Sequence, residues 1–237
     1  MPVSEFVSSI DSLMVLLDGL VEKRLDPPWW DQFYADRRRP VPFFHDKPSE
    51  HLFRYFEDGR LQAGRALDLG CGNGRDSVFM ASRGCRVDAV DFAAEPLAWG
   101  RELANSAGET VHFVQGSIFD VDLDANGYDL VNDSGCFHHL PPHRRISYLS
   151  LLRRVLKPGG TLVFCCLNPE IAPPKPDREV YESKDPGGER GYSIDEIRSI
   201  FEADFDLLEL RPMQEQPPDR KLFGKSFCVV ALMQIKG

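Results

Sequence analysis

Residues 66–77 read ALDLGCGNGRDS: an apolar run that ends in three glycines, Gly70, Gly72 and Gly74, spaced G-x-G-x-G. A strand, a glycine turn and a helix start in this order let a ligand approach bare backbone and exposed helix N–H groups. The dinucleotide fingerprint is G-x-G-x-x-G; here the third glycine comes one position early and is followed by Arg75 and Asp76. That helix start suits a pyrophosphate poorly and a phosphate-free nucleoside better. Asp91 closes the next apolar run, 21 positions after Gly70, where a carboxylate can accept hydrogen bonds from both ribose hydroxyls.

Outward from this stretch the chain alternates. RALDLG, CRVDAVD, VHFVQG, YDLVNDS and GTLVFCCL read as strands, with helices expected over 76–82, 94–106 and 142–156, the last with Pro141 and Pro142 at its first turn and KPGG at its end. Alternation of this kind specifies a parallel sheet covered by helices on both faces. A helix over 194–203 opens with Ser193 and Glu196 at capping-box spacing. FDLLELRPM and SFCVVALMQI follow, joined by a Pro-rich loop without a helix, so they can pair antiparallel. The expectation is an α/β fold with a seven-stranded, mostly parallel sheet, helices on both faces and a C-terminal antiparallel strand pair. Residues 168–191 form a long Pro/Gly/charged loop, and loops of that length are usually functional.

Upstream lies a helical and aromatic extension, placed at 1–58, before a main domain at 59–237. Phe6, Ile10, Leu13, Leu17, Leu20 and Val21 fall at helical spacing within 3–24, and Pro27 and Pro28 forbid continuation. Eight aromatics occupy the 27 positions from Trp29 to Tyr55, broken by Pro40, Pro42 and Pro48. A further helix is expected from Ser49, a candidate cap, through Glu57.

Bulk properties narrow the partners. Of 237 residues, 42% are hydrophobic and 27% charged, ordinary for a globular domain. The net charge of −9 repels phosphate backbones, so no nucleic-acid partner is expected, the runs Arg37–Arg39 and Arg144–Arg145 being short. Six cysteines at 71, 85, 136, 165, 166 and 228 show no C-x-x-C or zinc-type spacing, which suggests reduced thiols and a cytoplasmic location. The first 24 residues carry Glu5, Asp11 and Asp18 and no basic leader, so neither a secretory signal nor a membrane span is expected. The stripe of the first helix suits intramolecular packing or dimerisation, hence a monomer or homodimer.

LDLGCGNGRDS, VDAVD, GSIFD and VLKPGGTLVF, in this order, resemble the motifs of the class I S-adenosylmethionine-dependent methyltransferases over residues 64–168. WWDQFYADRRRPVPFF further resembles the small-molecule branch that includes thiopurine S-methyltransferase and the tellurite-resistance methyltransferases, where such a segment covers the cofactor. The resemblance implies S-adenosyl-L-methionine as cofactor, with S-adenosyl-L-homocysteine as product. It implies that Asp68, Gly70 and Gly72 hold the amino acid end, Asp91 the ribose and Phe92 one adenine face, with Cys71 and Asp133 also at the cofactor. Ser117 and Ile118 would sit at the adenine edges; many relatives carry an aspartate where this chain has Ser117. Trp30, Phe33 and Tyr34 would cover the cofactor.

Methyl transfer is an in-line displacement at a sulfonium methyl, so alignment and exclusion of water supply much of the rate. The strand-end segment NDSGCFHHLPPH presents Asp133, Ser134, Cys136, Phe137, His138 and His139 where the resemblance puts the departing methyl; Asp133, His138 and Tyr34 are the catalytic candidates. Two adjacent side chains rarely share one pocket, so one histidine faces it, with His138 preferred as general base. Cys136 reads as an inert neighbour. His139 and His143 are four apart, but Pro141 and Pro142 intervene and no carboxylate completes a set, so no metal is expected. Arg37–Arg39 and Arg75 could orient an acidic acceptor, and Tyr181 and Tyr192 of the long loop could select it. A thiol already supplies some thiolate near neutrality, which ranks a small-molecule thiol first and an O- or N-acceptor second; a nicotinamide oxidoreductase and a non-catalytic cofactor-binding partner are the competing readings.

Overall fold

Short apolar runs separated by helices become seven strands of one sheet in the computed structural model, which describes residues 6–21, 26–183, 189–217 and 219–237. They are β1 (Arg65–Leu69), β2 (Arg86–Asp91), β3 (Val111–Gln115), β4 (Tyr128–Ser134), β5 (Leu156–Leu167), β6 (Phe205–Pro212) and β7 (Cys228–Ile235). The order is β3-β2-β1-β4-β5-β7-β6. The first five strands pair in parallel, and β7 inserts antiparallel between β5 and β6. This is the α/β class expected from the sequence.

Side chains alternate across each strand, and both faces are buried. Leu67, Leu69, Val131, Leu162 and Phe164 pack on one face against Tyr148, Leu151 and Leu152 of α6 (Arg144–Val155) and Ile197 and Phe201 of α8 (Ile194–Phe201). Ala66, Val87, Ala89, Leu130 and Val163 pack on the other against Met80 and Ala81 of α4 (Arg75–Ser82) and Leu52 and Tyr55 of α3 (Glu50–Glu57). The last part of the aromatic extension therefore shares a core with the sheet. Strand β1 continues through α4 to β2 on one side, while β4 flanks it on the other. At such a reversal the loops diverge and open a crevice at the carboxyl ends of the strands.

The remaining helices are α1 (Ile10–Leu20), α2 (Pro27–Ala35), α5 (Ala94–Ala107) and α7 (Asp177–Ser183). Ser9 and Ser12 cap α1 reciprocally, so the helix begins later than the stripe suggested; residues 3–5 and 22–24 of that expectation lie outside the described ones. Met14 and Val21 are buried there, whereas Phe6, Ile10 and Leu20 are exposed. Pro27 and Pro28 do not merely end one helix: they open α2, capped by Asp26, whose Oδ1 accepts from Trp29 N at 3.2 Å, as fixed φ at a first turn allows. Ser49 precedes α3 without capping it, because its hydroxyl bonds Asp76 at 2.8 Å. The Ser193–Glu196 capping box forms as expected. KPGG belongs to β5, α6 starts two residues beyond Pro142, and the long loop contains α7. Among the described residues no helix is long and apolar enough to cross a membrane.

Candidate active site

A cavity of about 990 Å³ fills the crevice, within the range of small-molecule sites. Its first wall follows from the glycine turn. Gly72 has φ +54°, a left-handed conformation that costs a side-chain-bearing residue energy, and a Cβ there would lie 2.7 Å from the Tyr34 hydroxyl. Gly74, at φ +71°, would bring a Cβ within 2.9 Å of Phe113. The third glycine thus lets the start of α4 pack against Phe113 of β3, and the second allows close approach of backbone to whatever lies under Tyr34.

Asp91 sets the far side of this wall. Its Oδ2 accepts from Gly72 N at 2.9 Å and its Oδ1 from Ala93 N at 3.0 Å, which holds the carboxylate edge in the cavity with a lone pair left on each oxygen. Burial raises its pKa. Asp68 also lines the cavity; it accepts from Asn132 Nδ2 at 2.8 Å and from the Ser77 hydroxyl. Burial, then the nearby Asp76 charge, pushes it up to about 7. Gly70, Cys71, Phe92, Ser117 and Ile118 complete this half. The Ser117 hydroxyl oxygen already accepts from Phe119 N at 3.2 Å, leaving its O–H and one lone pair.

The second wall comes from the end of β4, the extension and the C-terminal strands. Trp30, Tyr34 and Phe43 roof it, and Phe223 and Cys228 border it. Trp30 meets the His139 ring edge-to-face at 5.0 Å, and Tyr34 stacks on Phe44 at 5.0 Å. Both His138 and His139 line the cavity, with ring centroids 4.3 Å apart. One helical turn of 3₁₀ type, Phe137–His139, turns the two rings the same way, which corrects the expectation that only one would face inward. Burial holds both imidazoles neutral, His139 at about 4 and His138 well below its ordinary value.

Asp133 is the clearest departure from the expected site. Its carboxylate curls back under the strand end and accepts from the backbone N–H of Gly135, Cys136 and Phe137 at 3.0, 2.8 and 3.1 Å and from the Tyr148 hydroxyl at 2.7 Å. It is fully buried, with a pKa pushed up by burial to about 6, and stands behind the histidine turn rather than in the cavity. Phe33 likewise packs inside the aromatic cluster, stacked on Trp29 at 5.2 Å. Arg37 pairs with Glu102 at 2.5 Å, Arg38 with Asp36 at 3.4 Å, and Arg39 lies over the Phe33 ring, so this run orients no acceptor. Tyr192 is wholly buried against Phe137. Tyr181 bonds His143, whose Nε2 meets Asp18 at 2.7 Å, so the His139–His143 spacing makes no metal pair.

Asp18 and Glu189 carried no functional signal in the sequence, and Ser134 and Arg75 meet partners that the sequence did not show. Asp18 of α1 reaches the cavity and holds Arg144. Ser134 accepts from Arg75 Nη2 at 3.1 Å, and Arg75 lies over Phe223 at 4.5 Å. Glu189 enters from the long loop. Each is separated by tens of residues from its partners. Cys71 and Cys136 border the cavity with thiols pushed well up by burial, as inert neighbours should be.

A parallel sheet with an inserted antiparallel last strand, a glycine turn after β1 and a carboxylate ending β2 define the class I methyltransferase fold. In sequence, residues 66–160 match the family described as methyltransferase domain. It is 35% identical over 141 residues to a ubiquinone biosynthesis O-methyltransferase of Cronobacter sakazakii, an alignment spanning 59% of this chain and 56% of that one. The chain thus spans little more than half the length of the curated relatives it matches. Similar solved structures include an enzyme of echinomycin biosynthesis concerned with converting a disulfide bond into a thioacetal group, with TM-score 0.67, 21% identity and coverage of 89% of this chain and 92% of that one. Another is the 1,6-didemethyltoxoflavin-N1-methyltransferase of Burkholderia thailandensis, bound to S-adenosylhomocysteine, with TM-score 0.58, 21% identity and coverage of 100% and 94%. Their likeness is one of fold. The donor half fits the cofactor of this class: a bare glycine cradle, a carboxylate with two free lone pairs, and apolar Phe92 and Ile118 suit an adenosyl group.

Proposed function

We propose that the protein transfers a methyl group from S-adenosyl-L-methionine to a heteroatom of a small molecule, a thiol sulfur first. The observation that carries this reading is that the glycine turn with Asp91 and the His138–His139 pair open into one cavity. Asp91 binds the ribose hydroxyls, Asp68 with Gly70, Cys71 and Gly72 holds the amino acid end, and Phe92, Ser117 and Ile118 enclose the adenine. When bound, the cofactor supplies an electrophilic methyl on a sulfonium. Trp30 and Tyr34 exclude water above it, and their faces favour a cation. The acceptor lies between these rings and the histidines, and His138 takes its proton.

The depressed basicity of both imidazoles supports the preference for sulfur. A weak base removes a proton usefully only from an acidic group, and a thiol near 8.5 is far more acidic than an alcohol. An acidic hydroxyl is the second reading, favoured by the O-methyltransferase relative. The six free cysteines suit a reducing compartment such as the cytoplasm, and a monomer or homodimer suffices because one chain encloses the site.

Methyl-label transfer against a panel of thiols, phenols and amines tests this. Transfer to thiols above the others is the expected result. Tight S-adenosylhomocysteine binding with no transfer to any member would instead favour a non-catalytic binding protein.

A further inference from the structure

The histidine turn holds more donors than proton transfer needs. One donor atom each from His138, His139 and Glu189 lies within 4.8 Å of the other two. Glu189 comes from a loop 50 residues downstream, yet it is not placed by chance, because the next residue's N–H, Arg190 N, donates to the carbonyl of His138 at 2.9 Å. The Arg190 side chain is fixed in turn by Glu196 at 2.8 Å and by the Tyr192 face at 4.5 Å. A second, independent observation concerns the imidazoles themselves. His138 is only 7% exposed, and its Nδ1 and that of His139 are buried with no hydrogen-bond partner. Buried polar atoms nearly always have one, and an uncompensated buried donor or acceptor costs about 1–3 kcal/mol. Such a cost is unexplained if the turn only packs.

We propose that His138, His139 and Glu189 bind a divalent transition metal of the zinc type at the acceptor end of the cavity. Two nitrogens and one carboxylate oxygen suit zinc, cobalt or iron better than magnesium or calcium, which prefer oxygen-only sets. A tetrahedral ion with bonds of about 2.1 Å holds its ligands about 3.4 Å apart. The remaining closure falls to the long, exposed side chain of Glu189. Three protein ligands leave a fourth position directed into the cavity, the arrangement of a catalytic rather than a structural site.

The metal site stands by itself; its use in the reaction rests on the methyltransferase reading. In that use the fourth position holds the acceptor's sulfur or acidic oxygen as an anion. The acceptor's proton goes to solvent, a new bond forms from that atom to the methyl carbon, and the carbon–sulfonium bond breaks to leave a neutral thioether. The ion thereby takes over from His138 the task of lowering the acceptor's pKa.

The test is equilibrium dialysis of the purified full chain, freed of metal by chelator, against Co2+ and against Zn2+, with visible absorption of the cobalt form. S-adenosylhomocysteine calorimetry on the same samples reports the donor half separately. One equivalent bound per chain, a tetrahedral cobalt spectrum, and at least tenfold weaker binding in Glu189→Gln and in His139→Ala are expected, with S-adenosylhomocysteine bound as before. Absence of stoichiometric cobalt or zinc in a chain that still binds S-adenosylhomocysteine overturns the metal site and leaves the methyltransferase reading intact. Glu189→Gln binding cobalt as tightly as the parent overturns it too, and this surface variant does not depend on a core residue for folding. Failure to bind S-adenosylhomocysteine while cobalt binds would strike the methyltransferase reading alone.

Discussion

The two walls of the cavity are built differently. The donor wall comes from neighbouring pieces of chain, with Asp68 to Asn73 in one turn and Asp91 on the adjacent strand, tied by Gly72 N to Asp91 at 2.9 Å. The acceptor wall gathers Asp18, Trp30, His138, Glu189 and Phe223 from five separate segments. Local geometry dictates the first, and tertiary packing assembles the second. On the proposed reading, recognition of a constant cofactor would reside in compact, contiguous sequence, whereas acceptor choice would depend on side chains that can change one at a time.

Breaking the donor wall should produce the largest effects. Asp91→Ala removes a charged acceptor and strands two backbone N–H groups; a charged hydrogen bond contributes about 1.5–3 kcal/mol, so S-adenosylhomocysteine affinity by calorimetry should fall about a hundredfold. His138→Ala should lower turnover about a hundredfold, the usual weight of a positioned acid or base, with calorimetric S-adenosylhomocysteine affinity unchanged. If both quantities fall together, the walls are not separable. Gly72→Ala places a side chain at φ +54° and against Tyr34; a strain of about 1–2 kcal/mol predicts roughly tenfold weaker product binding, and Gly72→Ala combined with Tyr34→Ala should recover part of it. Trp30→Ala should raise the acceptor KM severalfold by exposing the His139 face, and an unchanged KM would remove Trp30 from the acceptor wall.

The smallest effect concerns α1. Hydrogen bonds from Arg144 and His143 hold Asp18 below the ordinary carboxylate range although burial opposes them. A depressed folded-state pKa means that the attachment is fully present above the unfolded value and is lost as pH falls through the folded one. Amide exchange in α1 should thus speed up only below about pH 4, the ordinary Asp value, and Asp18→Asn should show the faster exchange at neutral pH.

The same contrast explains what could be read in advance. The order of strands and the glycine-turn geometry follow from periodicity and punctuation, which are local properties, and the match of residues 66–160 to the methyltransferase family lies over those motifs. Asp133 was misplaced because a strand-end carboxylate looks alike in sequence whether it meets a ligand or accepts the N–H groups of the next turn. Arg37 resembled an anion-binding residue until Glu102, 65 positions away, was seen to pair with it. Glu189 was invisible for the opposite reason: one charged residue among many in a loop reaches the cavity only because Arg190 N finds the carbonyl of His138. Ser49 preceded a helix at the right place for a cap, and Asp76 took its hydroxyl instead.

The short bridge between Ser49 and Phe223 joins the end of the aromatic extension to the C-terminal segment that borders the cavity. Glu50 N donates to Phe223 O and Phe223 N to Pro48 O, each at 2.8 Å, and Glu50 also pairs with Arg211 at 2.7 Å. Anyone recombining this protein with a relative to change its acceptor would have to move both seams as a matched pair, since a donor segment grafted at one end alone would arrive without the strand it is stitched to.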